Sequence, residues 1–341
     1  MKQSTTKSYL GIDVSKAWFD VSLMQVVEHQ KQPMRSTQFA NTAKGIKQFA
    51  HWLKSEQVTD PENTLIVIEN TGVYHRLIWK FCSDQNLPLY IGNATHIKWS
   101  RGITRGKSDL VDSQRLCMYA VKEHDGLKLT PGLDIVVLQL KDLMTARTKL
   151  ISQLRSMQVY LKELKLSNDP SIQQVLEKLH KDALKGMKES IRLLEQQIQL
   201  ILNNNAAIKT NYQLLVSVPG IGHITALYLI CCTNNFAGKI SGKQLASYAG
   251  VVPFEHSSGS SIRGKNRVHK MANKDLKKLL YMCAMTTIQH YPEFRDYYDR
   301  KLSEGKHTLI VLNAIQNKIV LRAAAVINNR QPYVENYTKA A

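Results

Sequence analysis

The chain is predicted to be α/β plus α. A mixed sheet with helices on its faces comes first, then a long helical hairpin, then a compact, mostly helical segment. Three observations predict this. Residues 7–125 alternate short β-rich runs with amphipathic stretches. Residues 132–205 show no strand pattern, only apolar residues spaced three and four apart. Residues 206–330 combine a Pro-Gly-x-Gly turn with further helical stretches and a dense basic run.

SYLGIDVS and AWFDVSLMQ are β-rich runs with a turn between them, and STQFAN offers a third strand. Asn41-Thr42 open an amphipathic helix through GIKQFAHWLKS. TLIVIE is a short apolar run bounded by polar residues, the pattern of a buried strand. A helix through VYHRLIWKFC follows, then PLYIGN as a last strand. Ser108 is placed to cap a helix through LVDSQRLCMYAVK. Two long amphipathic stretches on either side of SNDPS then read as an antiparallel hairpin, serving either as a bundle spacer or for self-association. In 206–330, a helix follows SVPGIG, the segments FAGKISGKQLASYAGVVP and HSSGSSIRGKNRVHK come next, and further helices run to about Asn328.

The 341 residues leave room for two or three domains with cores of their own. Lys and Arg number 46 against 27 Asp and Glu, a formal charge of +19. With a sequence pI near 9.6, this points to a polyanionic partner, most often nucleic acid. The five cysteines, Cys82, Cys117, Cys231, Cys232 and Cys283, are odd in number and form no C-x-x-C pair. Neither a disulfide framework nor a structural zinc site is expected, and reduced thiols fit a cytoplasmic compartment. The start, MKQSTTKSYLGID, lacks the apolar core of a signal peptide. No run of about 18 apolar residues stands out, so no membrane span is expected.

Four acidic residues carry the chemistry. Asp13 lies within the first strand run, Glu69 ends TLIVIE, and Asp109 and Asp112 open a helix three residues apart, on one side of it. Carboxylates from neighbouring elements can hold Mg²⁺, whose ligands are hard oxygens. Two such ions about 4 Å apart can activate a nucleophile and stabilise a leaving oxygen in phosphoryl transfer. Each acid also has a plainer reading as a cap or surface charge. Glu69 is the hardest to dismiss, because a carboxylate ending a buried strand needs a partner.

Other constellations point to phosphates. His256-Ser257-Ser258-Gly259-Ser260-Ser261 precedes Arg263 and Lys265: small residues admit a phosphate, the cations hold it, and a serine hydroxyl can be a nucleophile. The same run also reads as a solvated loop. Gly220 and Gly222 in Pro219-Gly220-Ile221-Gly222 resemble the hairpin of helix-hairpin-helix DNA-binding modules, or make a packing corner. Arg263, Lys265, Arg267, Lys270, Lys274, Lys277 and Lys278 fall within sixteen residues. Lys98, Arg101, Arg105 and Lys107 directly precede Asp109, with Trp99 among them as a base-stacking or core residue. Gly106-Lys107-Ser108 imitates the end of a P-loop, but the required first glycine falls on Arg101.

GIDVSK, IENTGVYH, KSDLVDSQRL, SVPGIG, LASYAGVVP and HSSGSSIRGK, in this order, resemble the DEDD-type insertion-sequence transposases. That family includes the Piv-type DNA invertases and the bridge-RNA-guided recombinases. The likeness spans about residues 7–325. It implies a RuvC-like (RNase H-like) catalytic domain over 7–125, a helical coiled-coil region over 132–205 and a C-terminal transposase domain over 206–330. It carries Mg²⁺ ligation onto Asp13, Glu69, Asp109 and Asp112, and the nucleophile onto Ser258, with Ser257 as the neighbouring register.

The implied activity is cutting and rejoining of donor and target DNA through a phosphoserine intermediate, by a homodimer or homotetramer in the bacterial cytosol or nucleoid. Some relatives use a structured noncoding guide RNA, which the charge of +19 allows but does not demand. The alternatives are a site-specific DNA invertase, a RuvC-like nuclease that cuts branched DNA with metal-activated water, and a non-catalytic nucleic-acid-binding regulator.

Overall fold

A computed structural model describes residues 6–100, 109–164, 170–238, 240–258, 262–268 and 271–335; at Asp109, Pro170, 255–258 and 262–267 the description is of the backbone. The chain divides into two compact units, Met1–Leu133 and Asp134–Ala341.

The first unit is a mixed sheet between two helical layers. Strands β1 (Thr6–Val14) and β2 (Trp18–Val27) form an antiparallel hairpin, and β3 (Gln30–Lys31) and β4 (Arg35–Ala40) both pair antiparallel with β2. Helix α1 (Ala43–Ser55) starts at Thr42, whose side chain accepts from the Gly45 amide. Strand β5 (Thr64–Glu69) lies parallel to β1. Helix α2 (Arg76–Asp84) follows, then β6 (Leu89–Gly92), parallel to β5. Helices α3 (Ala94–Ser100) and α4 (Asp109–Glu123) complete the unit. The sheet order is β3-β2-β1-β5-β6, with β4 also on β2.

Alternation along the strands sorts the core onto two faces. Leu10, Ile12, Val14, Phe19, Val21, Leu23, Ile66 and Ile68 pack beneath Phe49 and Leu53 of α1 and Ile78 and Cys82 of α2. Tyr9, Met24, Leu65 and Val67 pack on the other face against Ile97 of α3 and Leu116, Cys117 and Ala120 of α4. Gly11 lets α4 come close: a Cβ there would stand 2.0 Å from the Cys117 nitrogen and 2.3 Å from the Ser113 oxygen. Those obstacles are backbone, so Gly11→Ala forces α4 off the sheet. We expect a loss of about 3 kcal/mol, the upper range for overpacking, read as a lowered chemical-denaturation midpoint of the first unit. A variant as stable as the parent would show that α4 does not seat there.

The second unit is mostly helical. Its helices are α5 (Ile135–Glu163), α6 (Pro170–Asn204), α7 (Ala206–Val216), α8 (His223–Cys232) and α9 (Gly242–Tyr248). A hairpin of β7 (Phe254–Ser258) and β8 (Ile262–Arg267) follows, then α10 (Lys274–His290), α11 (Pro292–Ser303) and α12 (Thr308–Asn329). Caps mark the starts: Asp134, Asn205 and Asn273 accept first-turn amides, and Ser241 with Gln244 forms a capping box.

Helices α5 and α6 form the expected hairpin. Arg147 pairs with Glu195 at 2.8 Å, and the Tyr160 and His180 rings lie 6.3 Å apart, pairings that nest about one turn. The base of the hairpin belongs to the C-terminal core, since Val137, Leu140, Met144, Ile198 and Leu202 pack with Ile208, Leu215, Leu227 and Ile319.

Helix α12 is long and apolar enough to cross a membrane by length and composition, although polar residues such as Asn313 and Lys318 interrupt it. Its apolarity serves the core, where Val311, Leu312, Ile315, Ile319, Val320 and Ala323 are buried. All five cysteines are free, and burial pushes the Cys82 and Cys117 thiols up to about 12, which keeps them protonated.

Candidate active site

Asp13 and Glu69 come from neighbouring parallel strands. The β1–β5 register runs from Ser8 opposite Thr64 to Ile12 opposite Ile68. One further step sets Asp13 level with Glu69. Both sit in phase with Tyr9, Leu65 and Val67, hence on the face covered by α4. Adjacent strands lie about 4.8 Å apart, so the two carboxylates leave the sheet side by side.

Helix α4 is seated on the same face with its N-terminal turns toward that end of the sheet. The Cys117 thiol donates to the Tyr9 carbonyl at 3.2 Å, while Gly11 sits under Ser113, Leu116 and Cys117. Going up β1 from Tyr9 to Gly11 therefore means going back along α4 toward its start. The next step up β1 is Asp13, and the start of α4 holds Asp109 and Asp112. Hydroxyls fix this seat. Ser22 Oγ lies 2.8 Å from both Ser36 Oγ and Ser113 Oγ, and Ser113 Oγ donates to the Leu110 carbonyl at 2.8 Å.

A fifth acid, Asp20, was missed in the sequence. It lies directly opposite Asp13 across the β1–β2 hairpin and on the same face. It is 7% exposed, and Gln38 Nε2 donates to its two oxygens at 3.1 and 3.2 Å. Asp13 and Asp20 are equidistant from the Lys16-Ala17 centre of the turn, so hairpin arithmetic on GIDVSKAWFDVSL could have found it.

Like charges facing each other across strands destabilise a sheet unless a cation lies between them. In type, the donor set fits Mg²⁺: hard carboxylate oxygens at one end of a sheet, none of them thiol or imidazole. The described side chains do not by themselves close a cage, since no group of three or more is gathered tightly enough to hold a metal. Asp112 Oδ1 instead accepts from Arg115 Nη1 at 2.8 Å.

The loops beside Asp13 and Glu69 are tied together. Asn41 Nδ2 donates to the Ser15 and Tyr74 carbonyls, each at 2.9 Å. The helix expected through VYHRLIWKFC begins only at Arg76, because Gly72 takes φ +76° and the residues before Arg76 turn.

The basic residues are distributed over both units. Lys98 lies on α3 beside Trp99, which is 64% exposed with its ring against His96. Arg101, Arg105, Lys107, Ser108 and Lys270 lie outside the described residues. A groove of about 770 Å³ flanks α4, lined by Lys31, Arg115 and Lys122 among apolar Met34, Met118 and Tyr119.

In the second unit, 254–258 and 262–267 pair as a hairpin. Ser257 pairs with Arg263, and Ser258 ends β7 opposite Ile262; residues 259–261 lie outside the described residues. Arg263, Lys265 and Arg267 are on β8. Gly220 turns at φ +84° with its α-carbon against Thr287 and Cys283 of α10, while Gly222 has open space beside it.

A family model described as "Transposase IS116/IS110/IS902 family" matches residues 212–299, and an IS110-type DEDD model described as "Transposase" matches residues 10–166. The "Pilin gene-inverting protein" of Moraxella bovis is 26% identical over 335 residues, covering 96% of this chain and 98% of that protein. The protein of the same description from Moraxella lacunata shows the same identity and coverage. The "Insertion element IS110 uncharacterized 43.6 kDa protein" of Streptomyces coelicolor is 31% identical over 156 residues, 44% of this chain and 37% of that protein.

Proposed function

This chain belongs to the IS116/IS110/IS902 family of transposases, and from that premise we propose that it recombines DNA through a covalent serine intermediate. One observation supports the acidic half of this reading: the β1–β5 register sets Asp13 level with Glu69, and α4 is seated on Gly11 with its first turns, which include Asp112, toward that end of the sheet. The order β3-β2-β1-β5-β6, antiparallel first and parallel last, supports an RNase H-like (RuvC-like) domain.

Asp13, Glu69, Asp109 and Asp112 would hold Mg²⁺. When bound, the ion supplies Lewis-acid stabilisation of charge on the scissile phosphate. Ser258 supplies the nucleophile: its Oγ–P bond forms as the P–O3′ bond breaks, the serine proton is released and the 3′ oxygen is protonated. A 3′ hydroxyl of the partner strand then reverses the step and frees the serine. Bond energy is conserved, so ATP is not required. Arg263, Lys265, Arg267 and Lys270, with Lys98, Arg101, Arg105 and Lys107, hold donor and target phosphates without reading sequence.

A homodimer or homotetramer fits the exposed apolar residues Val159, Ile172, Val175 and Leu179 of the α5–α6 hairpin. The same charge accommodates a structured noncoding guide RNA as well as DNA. The full-length match to pilin gene-inverting proteins favours a second reading, site-specific inversion. A plasmid carrying an invertible segment beside one carrying the element's own ends decides between the two. Joined product from one plasmid is expected, and hydrolysed strands with no joining would establish a nuclease instead.

A further inference from the structure

Helix α10 carries Lys274, Lys277 and Lys278 in its first turns and Tyr281 one turn on. Spacings of three and four residues put them along one side of the helix. Cations at a helix N-terminus oppose the macrodipole, which there favours an anion. Asp275 offsets little, since Lys278 Nζ stands 3.5 Å from its Oδ1 and both side chains are exposed.

The three lysines, Tyr281 and Met282 line a cavity of about 410 Å³ together with Gln316 of α12, within the usual range of about 300–1,000 Å³ for small-ligand pockets. Tyr281 and Met282 are 38% and 62% exposed. Gln316 is 3% exposed, yet its Oε1 has no hydrogen-bond partner among the described residues. That oxygen is sealed inside the protein, so the cavity's ligand-facing groups are the three lysines, Tyr281 and Met282.

We propose that the cavity is a subsite for one nucleotide of a single-stranded nucleic-acid segment. Lys274, Lys277 and Lys278 grip its phosphates, and Tyr281 stacks on its base. A duplex would give the lysines phosphates but would give Tyr281 no free base face. The inference rests on the nucleic-acid reading above and adds to it a site in the second unit, apart from the serine hairpin.

The test is fluorescence anisotropy of the full chain with labelled oligo-dC, oligo-dT, oligo-rC and duplex DNA across a salt series. Tyr281→Ala is expected to weaken single-strand binding about tenfold, to leave duplex binding within about twofold, and to be rescued by Tyr281→Trp. Lys277→Ala with Lys278→Ala should flatten the slope of log affinity against log salt by about 1.4. The DNA and RNA arms identify which strand the subsite serves.

Variants that bind single strands with the parent's affinity and salt slope overturn the subsite while leaving the family function intact. A parent chain that binds no nucleic acid would overturn both.

Discussion

Ser258→Ala is expected to abolish the covalent protein–DNA adduct and, with it, joined product, by at least about 10⁴-fold, the scale on which losing a protein nucleophile is felt. Labelled DNA resolved on denaturing gels reads the adduct directly. Ser257 is the control. The two serines are successive positions of β7, opposite Arg263 and Ile262 respectively. They hold different places in the backbone register, so the two variants are distinguishable. Ser257→Ala should keep the adduct. If Ser257→Ala loses the adduct and Ser258→Ala retains it, the register is shifted by one. If neither variant loses it, the nucleophile lies elsewhere.

Asp13→Asn is the second large effect, and its size depends on Mg²⁺. Asp13 faces Asp20 across β1 and β2 and stands level with Glu69. Without metal, Asn keeps the side chain's size, so the variant should stay within about 1 kcal/mol of the parent in stability. With Mg²⁺ at about a hundredfold excess over Kd, the parent should gain about 2.7 kcal/mol by mass action and the variant far less. Recombination should fall by about 10³-fold or more, as when a preorganised electrostatic stabiliser is lost. Thermal melts with and without Mg²⁺ separate this from simple misfolding. A parent whose melting does not respond to Mg²⁺ would remove the metal from the proposal. Glu69→Gln should behave as Asp13→Asn does. Asp20→Asn should lose less activity, since Gln38 already occupies its oxygens.

Much of the first unit was legible because its signals are local. TLIVIE has the pattern of a buried strand, Asn41-Thr42 mark the opening of α1, and GIDVS and FDVSL alternate at period two around a short turn. The serine hairpin was not legible. Ser and Gly read as loop, and β7 and β8 are strands through pairing with each other and not through intrinsic preference. Helix α3 escaped because seven residues are too few to show a period. Gly220 read as a turn residue, but its contact with Thr287 is set by a helix far away in the chain.

Residue order alone foretells a sheet, a helical hairpin and a basic helical unit, with four carboxylates in an order that resembles one family. Hydrophobic periodicity and charge are written residue by residue, so they survive without a fold. The level of Asp13 with Glu69, and the seat of α4 on the face above them, come from folding. Those facts rest on strand register and on a close approach at Gly11, both set by residues tens of positions apart that no local pattern connects.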